Sequence, residues 1–136
     1  MTSDTSEADR NLALAVLEKR ETAPAQTTPA ALHALAQRLK GQQQLSYARR
    51  IYEFTRARDP IADPALRRKM RQQHAVCTYK DPDCARERAL DDALAILDSD
   101  PSDSIRTTTD PETLGIAGAI HKRKWEIDGQ SVHLAR

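Results

Sequence analysis

The chain has 136 residues, of which 39% are hydrophobic, 4% aromatic and 30% charged, with only four glycines. Such a chain supports one small domain with a modest core. Its abundant Ala, Leu, Arg and Gln cost little in a helix, and the β-branched and aromatic residues never alternate far enough to make a sheet, so the fold class reads as all-α.

The formal net charge of +1 conceals an asymmetry. Residues 31–80 hold 11 basic against 3 acidic side chains, whereas residues 81–112 hold 3 against 10. Two readings stand: a short-range field that a partner would feel, or oppositely charged helix faces that screen one another.

In chain order, the first five residues are small and polar and are expected to fray, and a helix is expected from Ser6, with Leu12, Leu14, Val16 and Leu17 on its apolar side. Acidic Asp4, Glu7 and Asp9 precede the apolar run Leu12 to Leu17, the opposite of a secretory signal. No segment approaches the roughly 20 apolar residues that span a bilayer. These features imply a cytoplasmic protein without a membrane partner, in which Cys77 and Cys84 are reduced thiols. The charges from Glu18 to Glu21 close the helix, and Thr22 to Thr28 reads as a loop from its Pro and Thr content.

Three segments then open alike, each with a capping residue, a proline and a nearby leucine: Thr28-Pro29 with Leu32, Asp63-Pro64 with Leu66, and Asp110-Pro111 with Leu114. Thr or Asp accepts from free N–H groups of the first turn, and proline at the first helical position has no hydrogen bond to lose. The openings lie 35 and 47 residues apart. A start signal recurring near a spacing of about 34 residues marks a helical-hairpin repeat.

In the first unit, Leu32, Leu35, Ala36 and Leu39 share a helix face, and Gly41 is expected to interrupt the helix. The return helix carries Ala48, Ile51, Tyr52 and Thr55, and Asp59-Pro60 is expected to stop it. The second unit places Leu66, Met70, His74 and Cys77 at helical spacing, breaks at Lys80 to Asp83, and returns with Ala89, Leu90, Ala93, Leu94 and Leu97. After a polar linker from Ser102 to Thr109, Leu114, Ala117, Gly118 and His121 repeat the spacing of Leu32, Leu35, Ala36 and Leu39. Gly118 is expected at a close crossing, and a separate short helix is expected after Gly129. The expected organisation is a tail and helix over 1–27, then repeats near 28–61, 62–101 and 109–136. The last repeat is incomplete, so the chain reads as the N-terminal part of a longer array or a clipped gene model.

This pattern resembles the tetratricopeptide repeat: early leucines, small Ala36 and Ala48 where two helices cross, aromatic Tyr52, and terminating Pro60, with Thr55 standing where the pattern prefers alanine. The resemblance implies stacked antiparallel helical hairpins in a right-handed α-solenoid, whose concave side is lined by the first helix of each pair. Carried over position by position, it implies that His33, Gln37 and Lys40 face that groove, with Lys122 from the third repeat and Arg68 and Arg71 from the second. The stretches His74 to Asp83 and Thr109 to Glu126 also resemble bacterial tetratricopeptide proteins with a TRAF-binding-like region, related to that of ASK-type MAP kinase kinase kinases. That likeness implies a signalling or defence-type scaffold, and His121 departs from the aromatic residue expected there.

His74, Cys77 and Cys84 lack a fourth ligand except from distant His121 or His133, so Cys77 reads as a core residue and no metal is expected. Nothing orients a Cys/His nucleophile pair, and the four glycines build no phosphate loop, so neither catalytic residues nor a cofactor are expected. The basic runs Arg67 to Arg71 and Lys122 to Lys124 are solvated faces, or else contacts for a nucleotide-like or nucleic-acid ligand. Trp125 reads as a wedge between hairpins. The favoured function is a non-catalytic scaffold that binds a protein or peptide.

Overall fold

The computed structural model describes residues 2–20, 22, 24–58 and 61–134, with side chains over 6–20, 22, 24–58 and 61–128. The expected stop at Asp59-Pro60, the helix-closing Glu21 and the last two residues lie outside that description. Six α-helices and two short 3₁₀ turns make up the described residues, with no strand among them. The helices are α1 (Thr2–Leu17), α2 (Pro29–Gly41), α3 (Leu45–Arg58), α4 (Pro64–Lys80), α5 (Arg86–Leu97) and α6 (Pro111–Leu134). α1 starts earlier than expected, since nothing in its first turns breaks a helix and acidic residues there suit its positive end.

The three capped openings start three helices. The hydroxyl of Thr28 accepts from the Ala31 N–H at 3.2 Å, Asp63 Oδ1 from the Ala65 N–H at 3.0 Å, and Asp110 Oδ2 from the Thr113 N–H at 2.9 Å. Proline is the first residue of α2, α4 and α6 in turn. Gly41 does not break its helix. α2 runs through it, and the left-handed residue that turns the chain is Gln43, at φ 62°. A glycine is not required there because the three-residue link also uses the Gln42 and Gln44 N–H groups, which close on the carbonyls of Leu39 and its neighbours.

The chain divides into two compact units, residues 1–70 and 71–136, with the division inside α4. In the first unit α1, α2 and α3 pack on one another. Its core is Ala13 and Val16 from α1, Leu32, Leu35, Ala36 and Leu39 from α2, and Ala48, Ile51 and Tyr52 from α3, all nearly or fully buried. Thr55 adds a hydroxyl to that core and satisfies it on the Ile51 carbonyl at 2.7 Å, which is how a threonine is tolerated where alanine would fit. Buried Asp9 ties α1 to α2, accepting from Arg38 Nε at 3.1 Å and from Gln42 Nε2 at 2.8 Å.

The second unit is built on Ala75 of α4, Leu90, Ala93 and Leu97 of α5, and Ala117 and Ile120 of α6, with Tyr79, Ile116 and Ile127 packed beside them. Residues 71–78 are all buried, more than two turns of helix, so α4 is enclosed around its whole circumference there. Arg71 lies inside that stretch at 2% exposure, donating to Asp100 Oδ2 at 3.2 Å and to Asp103 Oδ2. This corrects the expectation that Arg71 faces a groove: its charge is consumed by the acidic segment of its own unit. That segment is not a free linker, because it also bonds the Ile105 N–H to Asp98 Oδ1 at 3.0 Å and Gln72 Nε2 to Asp110 Oδ2 at 2.7 Å. α6 passes through Gly129 without a break, against the expected new helix, since an interior glycine weakens a helix but does not stop it.

Ala48→Leu forces three extra carbons into a closed crossing and is expected to cost about 1–3 kcal/mol. A lower urea midpoint at unchanged slope is the signature to look for. Arg71→Ala is expected to cost about 3 kcal/mol in the same measurement, and Arg71→Met less, because it refills the space while the two carboxylates turn to water.

Candidate functional site

The exposed edge of α2 is organised by one hydroxyl of α3. Gln37 Nε2 donates to Tyr52 Oη at 2.7 Å, and His33 Nδ1 lies 2.8 Å from the same oxygen. With Gln37 donating, the Tyr52 O–H is directed at His33 Nδ1, which accepts as a neutral imidazole. The rings of His33 and Tyr52 lie 5.8 Å apart at 49°, so the imidazole is also held by an aromatic edge. His33, Gln37 and Lys40 are each half-buried and follow one another at helical spacing. The His33 pKa is lowered from 6.5, first by burial and then by the nearby charge of Lys69.

The remaining residues expected at a groove divide. Arg68 and Lys122 are exposed, on α4 and α6 respectively, whereas Arg71 is buried. On α6 the expected core register does not hold. Thr113, Ala117 and Ile120 are buried, while Leu114, Gly118 and His121 are exposed, and a Cβ at Gly118 would meet nothing within 4 Å. α2 closes on α3, whereas α6 turns Thr113, Ala117 and Ile120 toward the core it shares with α4 and α5. Trp125, expected as a wedge, is 73% exposed.

Sequence reasoning missed a cleft of about 570 Å³ in the first unit. Val16, Lys19 and Arg20 line it from the end of α1, with Thr27 and, from α3, Phe54 and Arg58. Lys19 sits at φ 58°, the left-handed conformation that turns the chain off the helix and places this basic pair at the rim. The Arg58 guanidinium lies 5.2 Å from the Phe54 ring centroid, and its Nη2 donates to the Thr27 carbonyl at 2.7 Å. The cleft offers cations, hydroxyls and one aromatic face, and its volume falls in the ligand-pocket range of roughly 300–1,000 Å³. Its parts lie about 35 residues apart in the chain, which is why spacing did not reveal it.

In the second unit Lys124 Nζ donates to Asp91 Oδ1 at 2.6 Å, joining α6 to α5 beside a smaller hollow of about 250 Å³. That hydrogen bond is the main cause of the raised Lys124 pKa. Cys77 is buried and Cys84 half-buried, with Cys84 Sγ 3.5 Å from Asp81 Oδ2. Among the described residues no three His, Cys, Asp or Glu side chains are grouped to hold a metal ion. No described helix is long and apolar enough to cross a membrane.

The chain matches the family described as Tetratricopeptide Repeats-Sensor (TPR-S) over residues 3–136. No curated protein and no solved structure shows significant similarity to it.

The lowered His33 pKa fixes a sign for pH dependence. Just below pH 6.5 the unfolded chain binds more protons at this site than the folded one. His33 therefore contributes its full share above that pH, and the share is lost as the pH falls toward the lowered folded value. Denaturation midpoints taken between pH 5 and 7.5 should show that slope, and His33→Gln should flatten it.

Proposed function

Since the chain belongs to the tetratricopeptide repeats-sensor family, we propose that it is a non-catalytic helical-repeat scaffold that holds a protein or peptide partner. The reading places it in the cytoplasm, as the N-terminal part of a longer signalling or defence-type protein, in keeping with its resemblance to bacterial proteins bearing a TRAF-binding-like region. The observation that carries it is the ordered edge of α2. His33 and Gln37 are held on the Tyr52 hydroxyl before any partner arrives, so little side-chain freedom is left to lose on binding. Lys40, a turn further on, and exposed Arg68 add positive charge in the first unit, and exposed Lys122 adds its own in the second, which suits an acidic peptide.

A second reading, a sensor of a nucleotide-like or nucleic-acid ligand, draws support from the basic cleft with Phe54 and Arg58. Such a ligand would lay a flat base against the aromatic ring and its phosphates near Lys19 and Arg20.

Affinity capture followed by mass spectrometry is expected to recover a defined partner, and Lys40→Glu combined with Lys122→Glu should weaken its retention at least tenfold. Unchanged retention removes these lysines from the site. Calorimetric titration with ATP and with a short oligonucleotide at low salt separates the two readings: flat traces favour the scaffold, and saturable heat abolished by Lys19→Glu selects the sensor.

A further inference from the structure

The hydrogen bonds at the edge of α2 have a direction. Tyr52 Oη accepts from Gln37 Nε2 at 2.7 Å and gives its own hydrogen to His33 Nδ1 at 2.8 Å. A neutral imidazole that accepts at Nδ1 carries its hydrogen on Nε2. The edge is thus left with one donor, His33 Nε2–H, and one acceptor, Gln37 Oε1, and neither has a hydrogen-bond partner among the described residues. Lys69 of α4 acts on His33 through space and, after burial, opposes its protonation. Lys40 follows on α2 itself. Of the other elements packed on α2, α3 brings Tyr52, while its Arg49 and Glu53 pair with one another. α1 brings Asp9, already held by Arg38 and Gln42, and the turn Pro24–Gln26 has no titratable side chain. Among the described residues, the charge that acts on this imidazole is therefore a positive one.

We propose that a carboxylate of an acidic partner peptide docks on His33 Nε2–H beside Lys69, that His33 takes up a proton from water as it does so, and that both hydrogen bonds of the edge reverse together. The new proton sits on Nδ1 and donates to Tyr52 Oη. The Tyr52 O–H, displaced from Nδ1, passes to Gln37 Oε1 once that amide makes a half-turn, which sends the Gln37 NH₂ group outward. The edge then changes from one donor and one acceptor to donors alone, with a positive charge among them. A carboxylate supplies what the free edge lacks. It offsets the field of Lys69 and accepts a charge-assisted hydrogen bond, so the half-buried imidazolium becomes stable only when the anion is present. This inference rests on the scaffold reading and adds to it a means of selection. A neutral or basic peptide cannot hold the imidazolium and leaves the edge in its resting arrangement.

The test uses the full chain and a hexaglutamate peptide, whose carboxylates stay ionised through the range of pH involved. Calorimetric titration at pH 6.5 in two buffers of different ionisation enthalpy should give different heats, the mark of proton uptake. Affinity should be roughly threefold or more tighter at pH 6 than at pH 7.5. In protein labelled with nitrogen-15 histidine, the His33 ring resonances, assigned as those lost in His33→Gln, should move toward imidazolium values on adding peptide, while those of exposed His121 hold still. Lys69→Gln should raise the pH at which His33 titrates in the free chain, because it removes the opposing charge, and should weaken the peptide. His33→Gln should bind more weakly, with equal heats in the two buffers and no slope with pH. Equal heats from the unaltered chain, or His33 resonances that ignore the peptide, overturn the proposal, and so does a shift brought about by ATP but not by hexaglutamate. A chain that retains its partner through Lys40 and Lys122 without this proton uptake keeps the scaffold reading and loses the present one.

Discussion

Two alanines govern how near α2 and α3 can come. Ala36 and Ala48 are both fully buried, and with nothing larger than a methyl group at either place the two backbones can approach until Leu32, Leu39, Ile51 and Tyr52 fill the space around them. Close packing of this kind makes a sparse core sufficient, because contacts per residue compensate for few large side chains. It also decides where the Tyr52 hydroxyl emerges. A ring anchored in the crossing must end at the edge of α2, and there it meets Gln37 and His33. The ordered polar edge is therefore a consequence of the apolar crossing beneath it.

The second unit meets a different constraint, a helix buried on every side that nevertheless carries Arg71. Its guanidinium is matched by Asp100 and Asp103 from the segment after α5, while Gln72 of the same helix reaches Asp110 and Thr113 at the start of α6. A buried charge persists only when paired and hydrogen-bonded, so the acidic segment is held in place by what it neutralises. Arg71 of the basic stretch is thus matched by the acidic stretch inside this unit. Arg68 and Lys122 are exposed, and Lys19 and Arg20 stand at the rim of the cleft beside Phe54.

α6 stands apart from α2 even though both begin with a cap, a proline and the same apolar spacing. In α2 the positions of Leu32, Ala36 and Leu39 are enclosed, with α3 returning beside them; the equivalent positions of α6, Leu114, Gly118 and His121, are exposed. The difference between a buried leucine at 32 and an exposed one at 114 lies in the neighbours, not in the helix itself.

Local chemistry made much of this legible from residues alone. The caps at Thr28, Asp63 and Asp110 fixed three helix starts, and the spacing of Leu32, Leu35, Ala36 and Leu39 fixed which side of α2 is buried, because each depends on atoms within a turn or two. Tertiary structure decided the rest. Whether Arg71 meets water or aspartate, and how Lys19, Phe54 and Arg58 come to share one cleft, depend on groups about 30 or more residues away. A periodic pattern tells which face of a helix is apolar. What covers that face is set by packing between elements, a relation that no single segment carries.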